Sequence, residues 1–83
     1  MFNHNREVLH LYSTITSDDN LSHQLTQELN ANWSQAATAD NNVAETISEI
    51  LDAMYYGEVS KLAPSALDLL ATTIHVVMAN ANP

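Results

Sequence analysis

Apolar residues recur at helical spacing along nearly the whole chain, and four segments carry the pattern. In the first, predicted over residues 5–15, Val8, Leu11, Tyr12 and Ile15 fall at i, i+3, i+4 and i+7. Asn3 or Asn5 can serve as its N-cap, and Glu7 suits the positive end of its dipole. Thr14, Ile15 and Thr16 are β-branched and also permit a brief strand, but the spacing favours helix. The second segment, 18–37, opens on a run of cap residues, Ser17 to Asn20. Leu21, Leu25, Leu29 and Trp33 then recur every four residues, and Ala36 and Ala37 close the stripe. Four residues advance about 400°, so such a row drifts around its helix and crosses a neighbour at an angle.

The third segment, 41–56, starts at Asp40 to Asn42, where Asn42 and Glu45 have the spacing of a capping box. Its core face is Val43, Ile47, Ile50, Leu51 and Met54, and Gly57, the single glycine of the chain, stands where a helix end needs a left-handed residue. The fourth segment, 61–79, begins near Ser60 or Pro64, since proline is tolerated in a first turn. Leu67, Leu70, Ile74, Val77 and Met78 make one stripe, and Leu62, Leu69 and Val76 a second on another side. A helix apolar on several sides must be covered on several sides. It is either the centre of the bundle or shared with a second copy. The end of the chain, 80–83, has no apolar anchor and is expected to fray. The expectation is an all-α, small four-helix bundle-like single domain spanning 1–83, dimerising through its C-terminal helix by way of Leu69, Ile74, Val76 and Val77.

Composition narrows what such a bundle can do. Its 83 residues form a small core, marginal alone and often helped by self-association. Without cysteine there is no disulfide scaffold, thiol nucleophile or zinc-thiolate site, a usage that fits a reducing, cytoplasmic setting. Ten acidic residues against two basic ones leave a net charge of −8. That balance opposes direct contact with nucleic acid or an anionic membrane, and no apolar run reaches a membrane span.

Candidate chemistry is sparse. His4, Glu7 and His10 are spaced by three and six, which on a helix points the outer pair about 240° apart, so they do not converge on one ion. His23 and His75 stand alone, His75 within an apolar run that suits a core or interface histidine. No glycine-rich loop cradles phosphate and no nucleophile elbow surrounds a serine. An acidic carrier protein fits the size, but Ser65 lacks the preceding aspartate its attachment site requires. The expectation is a non-enzyme with no cofactor and no metal.

What remains is acid without base. Glu45, Glu49 and Asp52 fall at i, i+4 and i+7 with no cation at helical spacing, and Asp40 and Glu58 extend the row. Such a row either keeps the protein soluble or, spanning about 10 Å at 1.5 Å per residue and so comparable to phosphate spacing, occupies a basic groove made for nucleic acid. Tyr55 is expected to continue the core stripe, while Tyr56 must point elsewhere, and both rings could equally pack against the fourth helix. The leading expectation is an acidic helical protein that inhibits or regulates a basic protein partner, with a nucleic-acid-binding protein as its specific form. Glu45, Glu49, Asp52 and Glu58 supply the contact and Tyr56 an anchor. Size and charge, though no motif, make this analogous to phage or mobile-element anti-defence proteins, the nucleic-acid mimics and anti-CRISPR proteins as a class. The alternative is an accessory subunit docking into a larger assembly through its apolar C-terminal helix.

Overall fold

A computed structural model describes residues 3–81, with side chains from Asn5 onward. Within them the chain forms α1 (Asn3–Thr16), α2 (Asp19–Ala39), α3 (Asn41–Tyr56), a single 3-10 turn (Val59–Lys61) and α4 (Pro64–Ala81), with no strand. The all-α bundle expected from the apolar spacing is the fold. The Thr14–Thr16 stretch is the last turn of α1, and both threonine hydroxyls bond back onto its backbone. Thr14 Oγ1 donates to the His10 carbonyl at 3.0 Å and Thr16 Oγ1 to that of Tyr12 at 2.8 Å, which satisfies the groups that would otherwise favour leaving the helix. Asn5 lies inside α1 rather than capping it.

Two aspartates set the helix starts. The carboxylate of Asp18 accepts from the backbone N–H groups of Asn20 and Leu21 at 2.9 and 3.2 Å. Asp40 alone joins α2 to α3. Its N–H donates to the Ala36 carbonyl, closing α2, while its carboxylate accepts from Asn42 N and Val43 N, opening α3. The cap is therefore Asp40, and Asn42 lies already within the helix, so the expected capping box with Glu45 does not begin this element. So short a link makes α2 and α3 neighbours, and they share the most extensive packing in the molecule.

Helix α4 packs against α1, α2 and α3 alike. Ala66, Leu67, Leu70, Ala71, Ile74 and Val77 are buried, and Thr73 joins them because its hydroxyl donates to the Leu69 carbonyl at 2.9 Å. Most of the crowded apolar surface of α4 is thus absorbed within one chain. This corrects the assignment of Ile74 and Val77 to an outer interface: at 0% and 2% exposure they are core. Leu69 is half-buried against the core, and Val76 and Met78, on different sides of the helix, are each exposed. The helix continues to Ala81, past the expected end at 79; Asn82 and Pro83, assigned to the tail, lie outside the described residues.

Elsewhere the helical phase differs from expectation by part of a turn. In α3 the core is Ala44, Ile47, Ile50 and Ala53, with Leu51 and Met54 half-buried, and Val43 is exposed. In α2, Leu25 and Leu29 are fully buried but Trp33 is 41% exposed. Eight residues past Leu25 the four-residue row has rotated about 80°, enough to carry Trp33 off the core face.

Tyr12 of α1 packs against the core, and burial pushes its phenol above the ordinary 10.0. The raised value means the folded state favours the neutral phenol, so this contribution is complete below about pH 10 and is lost as pH rises through the folded value. Denaturant unfolding should accordingly show stability falling in the alkaline range, and Tyr12→Phe should remove that part of the fall.

Candidate docking surface

The end of α3 is built by one glycine. Gly57 adopts φ 71°, ψ 33°, a left-handed conformation that costs a residue with a Cβ roughly 1 kcal/mol. It reverses the chain through a paired closure, with Gly57 N–H donating to the Met54 carbonyl at 3.4 Å and Glu58 N–H to that of Ala53 at 2.7 Å. The turn then tightens into the 3-10 segment, whose Val59 is buried in the core and pins it down. Nothing lies within 4 Å of a Cβ placed on Gly57. Gly57→Ala should therefore act through backbone strain alone, lowering thermal stability by roughly 1 kcal/mol without disturbing neighbours.

This reversal brings Glu58 and Lys61 round to the side of α3 that carries Glu49, Asp52 and Tyr56. The five side chains line one open depression of about 310 Å³ together with Ala53, Leu62 and Ala63. Residues 49, 52 and 56 meet there because they fall at i, i+3 and i+7, one stripe of a helix. Glu45 belongs to the same stripe a turn earlier and is exposed, but it does not line the depression. Of the predicted contact residues, Glu49, Asp52, Glu58 and Tyr56 are brought together and Glu45 is set apart. Asp40 is occupied as a helix cap and is not part of the surface.

Charge at this end is uneven. Glu58 is paired, with Lys61 Nζ at 3.4 Å from Oε2, both groups well exposed. An exposed pair of this kind contributes about 0–1 kcal/mol. Glu49 and Asp52 have no ion-pair partner among the described residues. Asp52 also lies near the negative end of the α3 dipole, and the last turn of α3 holds no basic residue to offset it. Folding alone gives no reason to place an acid here. Lys61 is the residue of this surface that the sequence reading missed; its distance from Asp52 and Tyr56 along the chain hides a proximity created by the Gly57 turn.

The tyrosines depart furthest from expectation. Tyr55 is 83% exposed and Tyr56 69%, so neither continues the core stripe nor packs beneath α4. Instead the rings meet edge to face, centroids 4.9 Å apart and planes at 89°. Tyr56 faces the acidic depression. Tyr55 lines a second one, of about 330 Å³, with Tyr12 of α1, Ser22 and Thr26 of α2, and Leu51 and Met54 of α3.

The histidines form no centre. His10, His23 and His75 are all exposed, so His75 is not a core histidine, and the side chain of His4 lies outside the described residues. Among the described residues no three His, Asp or Glu side chains are grouped to hold a metal ion, and no helix is long and apolar enough to cross a membrane. No family model, curated protein or solved structure matches the chain. Its function is read from the residues themselves.

Proposed function

We propose that this chain is a non-enzymatic interaction protein, binding a basic protein partner through the acidic end of α3 and inhibiting or regulating it. The observation that carries the reading is the convergence of Glu49, Asp52 and Glu58 with an exposed tyrosine on one depression. Two of these acids are unpaired among the described residues, and the stripe continues to Glu45. Carboxylates so arranged repel one another by a few tenths of a kcal/mol in an isolated helix, and a cationic partner relieves that repulsion. The net charge of −8 steers such a partner from a distance. A groove that accepts a nucleic-acid backbone is one partner surface of this kind, which makes nucleic-acid mimicry the specific form of the proposal and a cytoplasmic site of action its natural setting.

The alternative, docking through the C-terminal helix as an accessory subunit, loses two of its four residues to the core. Leu69 and Val76 alone offer too little apolar surface to lead the reading.

The test is amide chemical-shift mapping with a blocked oligoarginine, repeated at low salt and at about 0.3 M salt, where charges more than a few ångströms apart are screened. The reading expects shifts concentrated on Glu49, Asp52, Tyr56 and Glu58, and affinity that falls at least about tenfold with salt. Shifts spread evenly over all ten acidic residues would mean that only net charge is at work, and the proposed surface would be wrong.

A further inference from the structure

The two tyrosines stand at the end of α3 as a ridge with a different depression on each flank. On one side Tyr56 meets Glu49, Asp52 and Glu58. On the other, Tyr55 meets Leu51, Met54 and Tyr12. The arrangement follows from the helix: Leu51 and Tyr55 are four apart, Asp52 and Tyr56 are four apart, and the two pairs are rotated by about 100°. Both large rings are held mostly in solvent, edge to face with each other, whereas Tyr12 nearby packs against the core. Exposed tyrosines offer large, stiff contact area at low entropic cost, and they are frequent anchors in binding surfaces.

We infer that this ridge and its two flanks bind one segment of an arginine-bearing amphipathic partner, with a guanidinium on the Tyr56 side and an apolar side chain on the Tyr55 side. Charge complementarity decides the first half. A guanidinium stacks on a ring face while donating to flanking carboxylates, and a planar fork does both better than an ammonium. The second half follows from the lining of the other depression, where Leu51, Met54 and the two tyrosine rings stand among the hydroxyls of Tyr12, Tyr55, Ser22 and Thr26 and no group is charged. A purely polar polycation satisfies only one flank. The inference rests on the proposed acidic surface and narrows its partner to segments with an arginine beside an apolar residue.

Two blocked helical peptides of equal charge test it by calorimetry on the full chain, one presenting arginine and leucine on a single face, the other arginine and serine. The arginine–leucine peptide is expected to bind roughly tenfold more tightly or better, the gain from burying one leucine. The double variant Tyr55→Ser/Tyr56→Ser should erase that preference while keeping the helical circular dichroism of the parent, since both rings are exposed. Equal affinity for the two peptides, or a preference that survives in the variant, overturns the two-sided site and leaves the acidic surface standing. Failure of both peptides to bind at low salt overturns the two-sided site and the acidic surface together.

Discussion

Ile74→Ala should cost this protein about 2–5 kcal/mol, whereas Val76→Ala, two residues along the same helix, should stay within about 0.5 kcal/mol. The contrast follows from position. Ile74 is fully buried on a helix that packs against the other three, so truncation removes its transfer free energy and leaves a cavity that the surrounding bundle fills only in part. Val76 is 39% exposed and already surrenders much of its surface to water. A domain of this size has about 4–12 kcal/mol of stability in all, so losing 2–5 is a large fraction. Thermal unfolding followed by circular dichroism should show a fall of roughly 10–30 °C for the first variant and a few degrees at most for the second. Comparable small shifts for both would return Ile74 to the surface and restore the idea of α4 as a docking helix.

That reassignment illustrates what one-dimensional pattern can carry. The apolar period gave helix type and near-correct bounds for all four elements, because each helix buries one stripe and the stripe has the period of the helix. It also located Gly57, whose left-handed φ is a local requirement readable from residue type. What it does not contain is which neighbour covers a second stripe. The two apolar sides of α4 are explained equally by a second copy or by the other helices of the same chain, and only the path of the chain in space decides. The same gap explains the tyrosines. Tyr55 is in phase with Leu51, which is half-buried, but it lies one turn further along, where its ring borders an open depression instead of the core. Val59 was invisible for the converse reason: a single valine in a polar turn has no period, yet it anchors the segment that carries Glu58 and Lys61.

Of the candidate contact residues, those on one helical stripe were legible as a group, since i, i+4 and i+7 geometry is fixed by the helix alone. Their enclosure was not. The depression exists because Gly57 turns the chain back and Val59 holds it there, so Glu58, adjacent to the helix in sequence, becomes the far wall of the surface. Glu45 shares the stripe but has no opposite wall, which is why it falls outside.

The largest expected effect on function is loss of binding when Glu49 and Asp52 are both replaced by lysine. Both side chains are exposed, so the fold should tolerate the change. Reversal near the C-terminal end of α3 also sets positive charge against the negative end of the helix dipole, a small stabilisation. Binding of a cationic partner should nonetheless weaken by about 1.4–3 kcal/mol, roughly tenfold to a hundredfold, because attraction is replaced by repulsion at the point of contact. Net charge changes as well, so a control of equal charge is essential. Glu7→Lys/Asp19→Lys supplies it: each reversal adds two, and both double variants move from −8 to −4. Glu7 and Asp19 are exposed on α1 and α2 and neither lines the acidic depression. The decisive measurement is therefore calorimetric affinity of the parent and the two double variants for the same arginine–leucine peptide at low salt. A loss of about tenfold or more confined to Glu49→Lys/Asp52→Lys is the result expected if the end of α3 is the binding surface. Equal losses in the two variants would show that overall charge does the work and that no such surface exists.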